Sequence, residues 1–368
     1  MSGNGTIHSQ IQSYILHLIQ SGEKKPGDKL PTEYELCQMF HTSRSTVLRA
    51  LDQLMAQGII DKRRGSGSYV SQKQTESDTV PIISMILPFS QGENSANAPN
   101  EYLLIRGCQS YLARKGYLLT IFYSNDSFND EFTTIRRCQE MAVKGVILYP
   151  SARIDTLSNF YNLLLGDLPV ILIDHPLMSL ECSFVLSDNK SGGMLATDHL
   201  FDVGCDSVTF ACETNTFSHF SLQDRYFGFC KSLKEHGYPI DAASCYMDCA
   251  EKAKQACISQ PEYYQQMLQE IVSKPGTKHG VFCTSDMLAS DILDAAAELG
   301  IDVPSRLAVV GYGSSFQTSR YPLTTVTQDY YSIGENAARE LLKTIKGTAT
   351  EGVRTKYIPV SLTKGETT

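Results

Sequence analysis

Apolar residues recur at helical spacing through Ile7, Ile11, Tyr14, Ile15, Leu18 and Ile19 before the chain turns at Ser21-Gly22, which predicts an amphipathic first helix. A second, shorter helix is predicted where Thr32 precedes Glu35 by three residues, the spacing of a capping box, with Leu36, Met39 and Phe40 as its apolar side. His41-Thr42-Ser43 makes a turn, and Val47, Leu48, Leu51 and Leu54 then mark a third helix. Its first turn presents Ser43, Arg44, Ser45 and Thr46. Gly58-Ile59-Ile60 opens a strand, Asp61-Lys62-Arg63-Arg64 leads to Gly65-Ser66-Gly67, and Tyr69-Val70 returns. That is a hairpin with a basic, glycine-rich tip.

Beyond it, Ser71 to Thr79 is polar and without apolar periodicity, so residues 72–79 read as a linker between domains. From residue 80, apolar strands alternate with helical stretches: Pro81–Leu87, Tyr102–Arg114, Tyr117–Tyr123, Phe132–Val143, Gly145–Tyr149 and Val170–Ile173. The rhythm resumes at Val208–Phe210, Val281–Cys283 and Leu307–Val310. Such alternation predicts an α/β domain built from doubly wound parallel sheets, most economically in two lobes. The expected domains are residues 1–71, the linker, and 80–368. The expected first lobe is about 80–213 with 328–345, and the second about 214–327 with 346–368. The polar, Tyr- and Gln-rich stretch from Cys257 to Lys274 is expected to be a surface helix.

Composition narrows the function classes. With 42% hydrophobic and 20% charged residues, the 368-residue chain falls within ordinary globular usage. Net charge is −8, but residues 1–71 hold eight Lys/Arg against six Asp/Glu, a balance of +2 that leaves −10 for the rest. Only the N-terminal part suits phosphates, and the acidic remainder would repel DNA. Met1-Ser2-Gly3-Asn4-Gly5 has neither a basic start nor an apolar stretch, and no apolar run approaches the ~18 residues of a membrane span, so a cytoplasmic protein is expected. Eleven scattered cysteines are expected to be thiols. Cys245 and Cys249 have no matching Cys/His pair, so no metal is expected.

The N-terminal pattern predicts a winged helix-turn-helix whose third helix is the expected DNA reader. Hydroxyls and an arginine at a helix N-terminus can meet phosphates and base edges, and an Arg fork can grip guanine O6 and N7 together. Gly27-Asp28-x-Leu30-Pro31-x-Glu33, Ser43-Arg44-x-Thr46-Val47 and Gly58-(x)6-Gly65-x-Gly67-x-x-Val70 resemble GntR-type bacterial regulators. The resemblance implies DNA contacts at Ser43, Arg44 and Thr46 and a wing at Gly65 to Gly67. Chemistry adds Thr32, Ser45, Arg49, Arg63, Arg64 and Ser66. The chain departs from the family at Tyr34 and Leu48, where an arginine is usual, and Arg49 stands near enough to compensate in part.

Ligand sites in parallel sheets form where loops leave the carboxyl ends of strands, which singles out Phe89, Tyr149, Asp174, Asp286 and Gln328. Asp188-Asn189, Gly192-Gly193, His199-Leu200, Arg225-x-x-Gly228-Phe229-x-x-x-Leu233-x-x-x-Gly237, Ser285-Asp286, Val303-Pro304, Val309-Val310-Gly311-Tyr312 and Pro322-Leu323-Thr324-Thr325-Val326-x-Gln328 resemble the effector domain of LacI-type repressors. The resemblance spans about residues 80–368 and implies a two-lobed, periplasmic-binding-protein-like domain. It places effector contacts at Arg225, Asp286 and Gln328. Asp188 joins them as a candidate, and Phe89 and Tyr330 are the aromatic candidates for a sugar's C–H face. Gly313-Ser314 departs from the family's usual pair of aspartates. The short minor-groove helix usual in LacI-type proteins is replaced by the polar linker.

Together the two resemblances imply an effector-responsive repressor of carbohydrate genes, dimeric through its effector domain, bound to double-stranded operator DNA and released by a sugar such as the pentose L-arabinose. A nucleoside or purine effector on the same architecture is the alternative. No P-loop, dinucleotide fingerprint, nucleophile elbow or metal motif points to an enzyme or a cofactor. A transport-type sugar-binding protein shares the two-lobed cleft, but the attached reader argues against it.

Overall fold

A computed structural model describes residues 6–63, 66–71, 80–88, 98–124, 128–150, 166–176, 182–241, 244–313, 320–348, 352 and 354–368. The chain divides into two compact units, Met1–Val80 and Pro81–Thr368. The expected linker, 72–79, lies outside the described residues, as do Arg64, Gly65 and Phe89.

In the first unit α1 (Ile7–Gln20), α2 (Glu33–Met39) and α3 (Arg44–Ala56) precede an antiparallel hairpin of β1 (Ile60–Arg63) and β2 (Gly67–Val70). The periodic residues meet as predicted: Ile11 and Ile15 of α1, Leu36 of α2, and Val47, Leu51 and Leu54 of α3 share one core with Ile60 and Val70. Helix starts are marked by hydroxyls. Thr32 accepts from the Glu35 backbone N–H at 3.2 Å while Glu35 accepts from the Thr32 backbone N–H at 2.7 Å, completing the capping box. Ser43 caps α3 in the same way. Gly67 closes the hairpin with φ +113°, a conformation that favours glycine.

The second unit begins with β3 (Ile82–Pro88), α4 (Ala98–Arg114), β4 (Leu118–Ser124), α5 (Phe128–Glu140), β5 (Gly145–Leu148), β6 (Val170–Ile173) and β7 (Ser183–Ser187). It continues through α6 (Asn189–Asp202), β8 (Ser207–Ala211), α7 (Phe220–Glu235), β9 (Cys245–Tyr246), α8 (Cys249–Gln255), α9 (Gln260–Ser273), β10 (His279–Cys283) and α10 (Asp286–Glu298). It closes with β11 (Leu307–Gly313), β12 (Thr324–Gln328), α11 (Tyr330–Ile345), β13 (Thr355–Ile358) and β14 (Val360–Thr363). Two six-stranded sheets result, ordered β13-β7-β6-β5-β3-β4 and β14-β12-β11-β10-β8-β9. All pairings in them are parallel except β12 with β14. In each sheet alternate side chains enter opposite cores. Ile83, Met85 and Ile147 meet α4 and α11, while Ile86, Val146 and Leu148 meet α5.

The lobe boundary differs from the expected one. Helix α6 and strand β8 belong to the second lobe, because Ala196, Leu200, Val208 and Phe210 pack with Phe229 of α7 and Val310 of β11. The first lobe ends at β7, and β13 returns to pair with it while β14 joins the other sheet. The chain therefore crosses between lobes three times, at β7 to α6, β12 to α11 and β13 to β14. The stretch expected to be a surface helix, Cys257 to Lys274, also differs. Within it, α9 buries Tyr264, Met267, Leu268 and Ile271 against α10, so its polar composition describes only the outer face.

Glycines let α6 and α7 approach closely. A Cβ on Gly228 would fall 2.1 Å from the Lys190 carbonyl oxygen, and one on Gly193 2.1 Å from that of Arg225. Backbone stands at both places, so the helices themselves would have to part. Gly228→Ala is expected to destabilise the second unit by ~3 kcal/mol, the upper range for overpacking. A urea midpoint unchanged from wild type would contradict this close packing.

Candidate functional site

Between the two lobes lies a cleft of about 520 Å³. Tyr149, Asp174, His175 and Tyr330 line it from the first lobe; Arg225, Asp286, Tyr312 and His219 line it from the second, with Gln328 at the end of β12 where the chain crosses over. Six of the expected ligand-site residues thus converge: Tyr149, Asp174, Arg225, Asp286, Gln328 and Tyr330.

Arg225 sits in the second turn of α7 and is held on three sides. Its Nε donates to Asn189 Oδ1 at 2.9 Å, Nη1 to the Thr284 carbonyl at 2.7 Å and Nη2 to Gln328 Oε1 at 3.4 Å. The guanidinium lies 3.7 Å from the centre of the Tyr312 ring, within cation–π range. These partners are neutral, so they orient the charge without cancelling it. Gln328 in turn donates to Ser187 at 2.8 Å and accepts from Tyr330 at 3.1 Å, tying two of the crossovers together.

Asp286 is the first residue of α10, but Ser285 performs the capping, accepting from the Leu288 N–H at 3.1 Å. The buried Asp286 carboxylate instead accepts from Thr325 at 2.5 Å and reaches the cleft. Across from it, Asp174 follows β6 with φ +61°, a left-handed conformation that costs a non-glycine residue on the order of 1 kcal/mol. Tyr149 donates to Asp174 Oδ2 at 2.5 Å, while buried Oδ1 has no hydrogen-bond partner among the described residues. Burial, then the Asp174 charge, pushes the Tyr149 hydroxyl well above its usual range, and burial pushes Tyr312 up to about 12. Tyr330 is raised by burial and by Asp174 as well. All three phenols therefore stay protonated and able to donate.

Asp188 is the exception among the described candidates. It caps α6, accepting from the Ser191 N–H at 3.0 Å and the Ser191 hydroxyl at 2.7 Å, and does not line the cleft. A short acidic side chain at a helix start satisfies the nearest orphan N–H groups first. Sequence reasoning missed His175, His219 and Tyr312. His175 directly follows Asp174, so the same rule about strand ends could have found it. The rings of His175 and His219, one from each lobe, stand 5.7 Å apart.

On the first unit, Arg44, Ser45 and Arg49 of α3 are exposed, with Arg44 at 76%. Arg63 and Ser66 are exposed on the hairpin, where Arg63 lies 4.3 Å from the Tyr69 ring centre and Ser66 bonds the Tyr69 hydroxyl at 2.6 Å. Ser43 bonds Ser45 and Thr46 through its hydroxyl at 2.8 and 3.0 Å, and the Thr32 hydroxyl is occupied by its capping box. Glu33, not among the expected residues, accepts from Arg44 Nε at 2.8 Å and from Lys62 at 2.9 Å. Those two bonds hold its carboxyl below the usual range, Lys62 having the larger effect.

Residues 7–70 match the family described as bacterial regulatory proteins, gntR family, and residues 197–368 match the periplasmic binding protein-like domain. The chain joins a GntR-type DNA-binding domain to a periplasmic-binding-protein-like domain. This GntR-type chain is 27% identical to the arabinose metabolism transcriptional repressor of Geobacillus stearothermophilus, over 92% of its own length and 90% of the relative's. It is 26% identical to the HTH-type transcriptional repressor PurR of Vibrio vulnificus, but over 66% of its own length and 70% of the relative's. Among solved structures, a transcriptional regulator CelR–cellobiose complex superposes with TM-score 0.62 at 20% identity, covering 89% of this chain and 92% of that one. The Lac repressor dimer bound to operator superposes with TM-score 0.62 at 20% identity, covering 80% and 96%. The fold is shared with both. With these relatives the GntR-type chain is a transcription regulator and not an enzyme.

Proposed function

We propose that this regulator represses carbohydrate-utilisation genes and leaves its operator when a sugar, L-arabinose before others, fills the cleft. One observation carries the proposal: a single cavity presents the Arg225 fork, two carboxylates, Asp174 and Asp286, and protonated phenols. Vicinal hydroxyls of a sugar can accept from the fork and donate to the carboxylates in charge-assisted bonds, while Tyr149 or Tyr330 covers a C–H face. The relatives named arabinose repressors match along nearly the whole chain, which supports the choice of sugar.

Sugar binding to both walls favours a closed cleft. In a homodimer joined through the second unit, closure changes how the two copies pack and hence the spacing of the two winged heads on a two-fold operator. A coupling of ~1–3 kcal/mol between the sites gives about 5- to 150-fold release. DNA contacts fall to Ser43, Arg44, Ser45, Thr46, Arg49 and the hairpin tip. Action on DNA places the protein in the cytoplasm.

A nucleoside or purine effector remains the second reading, motivated by the PurR relatives and the cleft tyrosines. A thermal-shift screen against pentoses, hexoses, disaccharides, sugar phosphates and nucleosides separates the two. Stabilisation by arabinose, with release from DNA at the same concentrations, is the expected result. A nucleoside hit, or no response to any sugar, would remove the carbohydrate assignment.

A further inference from the structure

We propose that Glu33 is a positioning residue for sequence reading: its carboxylate aims Arg44 at a guanine and ties the recognition helix to the wing strand. The proposal rests on α3 being the recognition helix. Glu33 opens α2, whose start is fixed by the Thr32–Glu35 capping box, so its side chain extends from a rigid base. Oε2 takes the Nε–H of Arg44, and Oε1 takes the ammonium of Lys62 in β1. One anion thus links the element that would enter the major groove to the strand that carries the wing.

The choice of atoms matters. With Nε engaged, the guanidinium keeps its terminal Nη1 and Nη2 edge, the paired donors that match guanine O6 and N7. Arg44 is 76% exposed, and among the described residues its ion pair is with Glu33, so this bond restricts its rotation. Affinity alone does not explain an acidic residue here. It neutralises cations beside a polyanion and so weakens the phosphate attraction. Stability does not explain it either, since exposed ion pairs contribute little. Orientation of Arg44 accounts for both bonds.

The test uses full-length protein and duplexes that it selects from a random pool. Arg44→Ala first identifies the base pair that Arg44 reads, as the pair whose substitution no longer matters in that variant. At this pair Glu33→Ala is expected to lower discrimination by at least about five-fold, the lower range for one bidentate contact. Discrimination elsewhere should persist, and binding to unselected DNA should hold or tighten because an anion has left. Glu33→Gln keeps the shape and can still accept from Arg44, so it should retain part of the discrimination and guards against a folding defect. Unchanged discrimination at the Arg44 pair in Glu33→Ala, or an equal fall at every pair and on unselected DNA, would overturn the positioning role. If Arg44→Ala leaves every pair fully discriminated, the recognition-helix reading itself fails, and the proposal with it.

Discussion

Arg225→Ala is expected to yield a repressor that binds operator as wild type does and is not released by effector. The substitution removes the guanidinium that three neutral partners and the Tyr312 ring hold in the cleft. A charge-assisted hydrogen bond contributes about 1.5–3 kcal/mol, so effector affinity should fall roughly 10- to 150-fold, read by calorimetry with the sugar found in the screen. Arg225→Lys sharpens the point. It keeps the positive charge but not the planar fork, and should lose most of the same affinity. Wild-type release in either variant would show that the effector binds elsewhere. Operator affinity is the internal control, since Arg225 belongs to the second unit and the winged helix-turn-helix to the first.

Arg44→Ala should have the opposite signature. Operator affinity is expected to fall by ~1–3 kcal/mol with effector binding unchanged, because one bidentate base contact is lost. Salt dependence separates base reading from phosphate contact. A base contact leaves the slope of log affinity against log salt nearly unaltered, whereas a phosphate contact lowers it by about one. Fluorescence anisotropy across a salt series measures both quantities. An operator affinity that survives the substitution would remove α3 from the reading role.

Much of this architecture is legible in the residues themselves. Ile11, Ile15 and Leu36 announce their helices by spacing, and Thr32 and Ser43 mark where two of them begin. Those outcomes are decided within one or two turns of chain, by burial of a stripe and by orphan N–H groups seeking an acceptor. Arg225, Asp286 and Gln328 are also legible, two of them because strand ends in a parallel sheet face a cleft and Arg225 through the LacI-type pattern of motifs.

Asp188 shows where such reasoning stops. It too stands just after a strand, and nothing nearby in the chain distinguishes it from Asp286. In the fold Ser285 takes the capping role and leaves Asp286 to the cleft, whereas Asp188 does its own capping and is used up by it. The lobe boundary departs from the expected one for a related reason. Helix α6 and the returning β13 follow patterns that any βα unit would show, and only packing against Phe229 and pairing with β7 assign them.

By itself, then, the sequence determined the winged helix-turn-helix, the alternation of strands and helices, and the chemical kinds of side chain available at the strand ends. The tertiary structure alone decided which of them meet: His175 with His219 across the cleft, Tyr149 with Asp174, and Glu33 with both Arg44 and Lys62. Periodicity and capping are local energies written over a few residues. Convergence in the cleft depends on strand order and on three crossings between lobes, and that of Glu33 on the packing of α2 beside α3 and the hairpin; both join positions far apart in the chain and leave no mark at any one of them.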